Sequence, residues 1–373
     1  MKKFLSFAAL AAMCVSTFTA CSDDDTPTPT PTPVTVTNGL FVINAGNSSA
    51  QIDGSLTFIS KDGNVVQNAF STANGRSLGN TPNDAIVHGS KLYIAVTGEN
   101  TIEVIDRNTL KSTQISTTKL MGDDKGKQPR RLLAGGKYVF VSTFDGYVAQ
   151  IDTTDYSLSN IYKAGSYPEG MAGSGSTLYV ANSDYGSGVN PSISAIDLNT
   201  GNSTELKNEL VMNPTSLAAV GDNLYILDYG RYDENYNQQD AGVRLMHGGN
   251  VTKVVAATMM AVDAQRGLIY TVNAPYTYPA TPVTYNVYNM STGESKTFIS
   301  GDDIKSPAAI AVDPANGDVY ITSYKMDYDT GFADYFTNGY VNQYTADGTF
   351  VRQFATGVGP TALVFNYYTI INE

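Results

Sequence analysis

Catalysis by side chains needs a nucleophile, a proton carrier or a metal cradle, and this chain offers few of each. Its 373 residues hold two histidines and two cysteines. His88 and His247 lie far apart, in or beside segments that read as tight turns. Cys14 and Cys21 both sit near the start, so no Cys-based metal site is possible beyond them. No GxSxG elbow and no HExxH pair occurs. Asp327, Asp329 and Asp334 carry the hard oxygens that calcium takes, but "DYDTG" is not an EF-hand loop and these acids read as solvated. Paired-carboxylate hydrolysis needs two carboxyls at a set distance across a substrate, which chain spacing does not establish. The expectation is a non-enzyme with no metal site and no cofactor.

The chemistry that is abundant is of another kind. "LYILDYGRYDENYNQQDAGVRLM", residues 224–246, opens and closes as a β-hairpin, yet its middle is far longer than the two to five residues that close one. That middle holds Tyr229, Tyr232 and Tyr236 with Asn235, Asn237, Gln238 and Gln239. Tyrosine offers a flat apolar body, a polar tip and little rotamer entropy to lose. The amides add uncharged donors and acceptors. This is the composition of a binding surface.

What positions such a segment is an internal repeat. A short apolar strand recurs as LFV (40–42), LYI (92–94), YVF (138–140), LYV (178–180), LYI (224–226), IYT (269–271) and VYI (319–321). A strand that often follows proline precedes it, as in PNDAIV, PRRLLA and PEGMAG, and a Gly- or Asn-containing turn joins the two. A third strand ends in turns such as IDRNT or IDLNTG, and a fourth completes the unit. Helical periodicity is almost absent. Four short antiparallel strands per repeat of about 45 residues make a propeller blade. The expected fold is therefore all-β, a seven-bladed β-propeller over residues 39–373. The first copy lacks an inner strand and the end of the chain, "GPTALVFN" (359–366), has one to spare. The two termini should share one blade, which removes exposed strand edges.

Blade turns alternate between two faces. The second-to-third strand loops are 44–54, 97–100, 144–146, 183–192, 228–241, 274–282 and 324–338, and all share one face. Five are long; TGEN (97–100) and FDG (144–146) are short, which leaves a lopsided rim. The candidate ligand contacts on this face are Tyr185, Tyr229, Tyr232, Tyr236, Asn237, Tyr276, Tyr278, Tyr324 and Tyr328, with Tyr335 and Tyr167 nearby. Both histidines fall on the opposite face. Tyrosine-rich loops that merely pack on one another are the plain alternative.

The first residues do not belong to the fold. Lys2 and Lys3 lead an apolar run from Phe4 to Ala12, a signal peptide over 1–20. Phe18-Thr19-Ala20-Cys21 resembles a bacterial lipobox, which makes Cys21 the expected lipidation site and the acyl chains the only membrane contact. Ser22-Asp23-Asp24-Asp25 resembles an acidic export signal to the outer surface, and "TPTPTPTP" (26–33) leads an extended stalk running to residue 38. The formal charge is −12, and loss of Lys2 and Lys3 with the leader makes it −14. An acidic chain without basic runs is a poor partner for nucleic acid.

Two resemblances follow from these residues. "LYIAVTGENTIEVIDRNT" (92–109) resembles the YVTN repeat of surface-layer-type propellers. "LFVINAGNSSAQIDGSLTFIS" and "ANGRSLGNTPNDAIV" more closely resemble surface lipoprotein propellers of gut bacteria. Some of those capture cobalamin and hand it to a TonB-dependent outer-membrane transporter. The resemblance spans nearly all of 39–366 and implies an outer-membrane, lipid-anchored, cell-surface protein that binds a corrinoid as ligand and passes it to such a transporter. It carries over no binding residues. Glycan or protein binding is the alternative; the absence of tryptophan weighs against glycans.

Overall fold

The computed structural model describes residues 33–122, 124–301 and 304–371. The expected signal peptide, Cys21, the acidic export signal and the stalk up to residue 32 lie outside the described residues.

Seven four-stranded antiparallel sheets close into a β-propeller. Blade 1 is the shared one, with strands in the order Val65–Val66, Ser55–Ser60, Pro33–Asn44 and Pro360–Ile371. The innermost strands of blades 2 to 7 are Pro82–His88, Pro129–Gly135, Pro168–Ser174, Pro214–Val220, Met259–Asp263 and Pro307–Val312. The closing strand pairs as expected, with Phe41 opposite Val364 and Ile43 opposite Ala362. One boundary differs. Residues 33–38, expected in the stalk, extend this ladder outward, Pro33 opposite Ile371. The β-branched run Val34-Thr35-Val36-Thr37 suits a strand, and the Thr37 hydroxyl ties it to Asp313 of blade 7 at 2.6 Å.

The core is a set of seams between blades. Leu40 and Val42 face blade 7 and join Tyr320, Val341 and Phe354; Phe41 and Ile43 face blade 2 and join Phe70, Leu92 and Ile94. Alternate residues of a strand point to opposite faces, and both faces of a blade are covered by neighbours. That is why the second strands read as unbroken apolar runs. Apolar clusters of this kind fill all seven blade-to-blade seams among the described residues. Short helices, Ala69–Asn74 and Thr117–Met121, occupy two of the connections between blades.

Proline opens six of the seven inner strands. An inner strand has no neighbour on its channel side, so a residue without an N–H is tolerated there. Just after the proline the register slips, between Pro82 and Asp84, Pro129 and Leu132, Pro168 and Met171, Pro214 and Ser216, and Pro307 and Ala309. These β-bulges turn the next one or two side chains out of the ladder. They all lie at the long-loop end of the channel.

Candidate functional site

The long-loop face begins where the second strand of each blade ends. In blade 5 that residue is Asp228. Its fully buried carboxylate accepts from Met212 N at 2.8 Å, Gly230 N at 2.7 Å and Asn213 N at 3.2 Å. Asn182 and Asn44 do the same in blades 4 and 1, accepting from Gly165 N and Gly357 N, each at 3.0 Å. The loops therefore start from fixed points.

Residues 229–241 fold into a small hairpin, Arg231–Tyr232 against Gln238–Gln239. Gly230 sits at φ 66°, and a Cβ there would stand 2.0 Å from Gln239 O, so only glycine fits. Asp233 closes the tip by accepting from Asn235 N and Asn237 N, both at 2.9 Å, and the Asn237 bond leads in holding its carboxyl below the usual range. This hairpin is stitched to the 274–283 loop. Gln238 N donates to Tyr276 O at 2.7 Å, and Tyr276 N returns a bond to Gln238 Oε1 at 3.1 Å. Gln238 Nε2 donates to Tyr229 O at 2.9 Å, and Tyr278 N donates to Asn237 Oδ1 at 2.7 Å. Asn237, expected as a ligand contact, also fastens the two loops to each other.

Four tyrosines on this pair of loops remain open. Tyr232, Tyr236 and Tyr276 are exposed, and Tyr278 is 82% exposed. In blade 7, residues 324–337 form a second hairpin, Lys325–Asp327 against Phe332–Asp334, with Tyr328 at its tip, 93% exposed. Tyr324 is half-buried at its base, edge-on to Tyr335 at 4.8 Å, and burial pushes its hydroxyl up to about 12. Phe332 and Phe336 are also exposed here, which the search for tyrosine passed over. The aspartates of this hairpin cap turns: Asp327 accepts from Asp329 N at 2.9 Å and Asp334 from Phe336 N at 2.8 Å. Among the described residues no group of three or more metal-ligating side chains is gathered. On the opposite face, His247 meets Asn223 at 2.8 Å.

Tyr185 belongs to a third group. It leans on Tyr167 at 5.2 Å and meets Phe144 edge-on at 6.2 Å. Phe144 comes from the short loop of blade 3, and the Arg130 guanidinium lies over its ring at 4.2 Å. Arg130 leads inward to charges that the sequence reading did not single out. Asn83 and Asp84, Arg130 and Arg131, and Glu169 occupy the post-proline bulges of three consecutive blades. Arg130 donates to Glu169 Oε1 at 2.9 Å and to Asn83 Oδ1 at 2.8 Å. Arg131 stands between Asp84, at 3.6 Å, and Glu169, at 3.7 Å. Tyr229 joins them from the blade 5 loop; burial pushes its hydroxyl up, and Arg131 and Glu169 act on it electrostatically. Burial likewise pushes the Asp84 carboxyl up, against Arg131 and a 2.8 Å bond from Leu132 N. Of these, Asp84, Arg131 and Tyr229 line the channel mouth, a cavity of about 310 Å³, and Glu169 stands beside Arg131. The signal for it was charge at the second or third position of PND, PRR and PEG.

A family model described as "Domain of unknown function (DUF5074)" matches residues 38–290. That is more than half of the chain, and the chain belongs to this family. No curated protein matches it. Among solved structures, the Kuenenia stuttgartiensis hydrazine synthase is similar in fold, with a TM-score of 0.57 at 15% identity over 78% of this chain and 95% of that one. A computationally designed protein, Ika8, aligns with a TM-score of 0.45 at 15% identity over 81% of this chain and 80% of that one. At 15% identity the likeness to the hydrazine synthase speaks to fold alone, and nothing is drawn from the weaker alignment.

Proposed function

We propose that this DUF5074 propeller is a binding protein, not an enzyme, whose long-loop face takes a large and mostly uncharged small molecule, a corrinoid such as cobalamin. The observation that carries this reading is the set of tyrosines held open on that face by loops that are themselves fastened. Rings already fixed in place lose little entropy on binding. The charges that line the channel mouth are balanced, Arg131 against Asp84, which suits an uncharged ligand. The family resemblance supplies the name corrinoid, with handover to a TonB-dependent transporter. Lipid attachment at Cys21 and display outside the cell complete the proposal.

Calorimetric titration with cyanocobalamin and with a glycan panel tests it. Saturable corrinoid binding that Tyr232→Ala and Tyr278→Ala weaken is expected. No measurable corrinoid binding overturns it. A second reading, a protein-docking face, is favoured by Phe332 and Phe336, which are exposed and lack a polar tip. For the anchor, Cys21→Ala should move the protein from the membrane to the soluble fraction. Protection of the wild-type domain from protease added to intact cells would refute surface display.

A further inference from the structure

The tyrosine rim accounts for a broad apolar contact, but not for the polar centre that it surrounds. The post-proline bulges of blades 2 and 3 deliver Asp84 and Arg131 to the channel mouth, below the two shortest loops of the rim, and that of blade 4 brings Glu169 beside Arg131. Arg130 and Glu169 are engaged with each other. Arg131 is not so engaged: at 3.6 and 3.7 Å from its carboxylates it is within ion-pair range and outside hydrogen-bonding range. Its Nε is buried and has no hydrogen-bond partner. Across the same cavity, the Thr361 hydroxyl at the blade 1 bulge is buried and also lacks one. Buried polar atoms without partners are uncommon, and an unseen polar group is a usual reason. Apolar side chains, Met171, Leu217, Ile310 and Leu363 among them, contribute to the rest of the wall, with Ser216 and Thr258, but the surface turned to the cavity is mostly polar.

We infer that the channel mouth is an anchoring subsite for one uncharged group bearing a donor and an acceptor side by side, a primary carboxamide or a vicinal hydroxyl pair, seated between Arg131 and Asp84. This rests on the reading above that the ligand lies on the long-loop face. A ligand carboxylate would meet Asp84, and an ammonium would meet Arg131; each loses to like charge what it gains. A neutral group with both functions meets the guanidinium with its oxygen and the carboxylate with its N–H or O–H. The cavity, about 310 Å³, is at the low end of the range for small-molecule pockets. It suits one arm of a ligand whose body rests on the tyrosines outside. Sequence-distant bulges thus set the polar specificity, and loops set the apolar contact.

The two sources of such a group are separated by two probes, cyanocobalamin, which carries primary carboxamides, and a neutral oligosaccharide, which carries hydroxyl pairs. Each is titrated calorimetrically against the parent, Tyr229→Phe and the charge-neutral double variant Asp84→Asn/Arg131→Gln, with thermal melting of each variant as the fold control. The double variant should bind the active probe at least tenfold more weakly while it melts cooperatively. Tyr229→Phe, which removes one hydroxyl, checks the same cavity if the double variant does not fold, with a threefold or larger loss expected. Monocarboxylic acid derivatives of cyanocobalamin add a sharper readout. The parent should reject at least one of them tenfold or more, and the double variant should not. If the parent binds and both variants bind equally well, the subsite is wrong while the binding face stands. If the parent binds neither probe, the subsite falls together with the reading on which it rests.

Discussion

Single side chains in this propeller divide into those that fasten and those that are left open. Asp106 is of the first kind. It accepts from Thr109 N at 3.0 Å and Asn108 N at 3.1 Å, and from Lys91 at 3.2 Å, and these bonds, that of Thr109 foremost, hold its carboxyl down to about 2. In an unfolded chain it titrates near ~3.9. The folded value is the lower one, so its contribution is complete above about pH 4 and is lost as pH falls through about 2. Melting temperatures measured from pH 5 to pH 2 should therefore fall less steeply for Asp106→Ala than for the parent. Parallel curves would count against this cap. Gln238 fastens at higher stakes, since it is buried and bonds both Tyr276 and Tyr229. Gln238→Ala leaves Tyr276 N and Tyr229 O without that partner, at a cost of about 1–3 kcal/mol each if they stay buried. It should weaken ligand binding through loosened loops although Gln238 itself need not touch ligand. Unchanged affinity and melting in this variant would argue that the two loops are held by other contacts.

At the scale of the element, the unit of function is a pair of loops. The 229–241 hairpin and the 274–283 loop share three hydrogen bonds around Gln238 and Asn237, and a further bond from Gln238 to Tyr229 braces the hairpin itself. Replacing 229–241 with an Asn-Gly turn should leave blade 5 folded, since that turn suits the hairpin ends and the buried seam at Tyr225, Leu227 and Val243 loses only Tyr229, which packs on its margin. It should also release Tyr276 and Tyr278. The loss of binding should then exceed that of Tyr232→Ala and Tyr236→Ala combined, and ~1.4 kcal/mol corresponds to each tenfold. A cycle combining the loop replacement with Tyr278→Ala measures this directly. Simple additivity would mean that the loops act independently. Shortening 97–100 of the low side removes no such contact and should change small-ligand affinity little.

At the scale of the whole molecule, closure is the decisive feature. Pro360–Ile371 supplies the inner strand of blade 1 and packs Phe365 against Tyr320 of blade 7 at 5.3 Å. Deleting 359–373 would expose the ladder of Pro33–Asn44 and open two seams, those of blade 1 with blades 7 and 2. Total stabilities of folded domains are only ~5–15 kcal/mol, so the truncated chain should melt far lower or not fold. If it melts like the parent, ring closure contributes nothing, contrary to this account. The same deletion removes Thr361 from the channel mouth and so would abolish binding for two reasons, which makes it a test of the fold rather than of the site.

The repeat, the blade count, the shared blade and the face that carries the long loops were all legible in the chain itself. They follow from period-2 alternation, turn residues and recurrence, which are local properties. Residues 33–38 were misread because a Thr/Pro stalk and a β-branched edge strand differ only in whether a partner is present, and that partner is 330 or so residues away. Asn237 looked like a free amide for the same reason; its acceptor is taken by Tyr278 of the next blade's loop. The channel mouth was hidden most completely. Asp84, Arg131 and Glu169 come from three copies of the repeat, and only a β-bulge in each strand and closure of the ring bring Asp84 and Arg131 to one cavity with Glu169 beside Arg131. Local sequence determines which strand a residue joins, whereas meeting across a ring is decided by long-range packing, which no single repeat encodes.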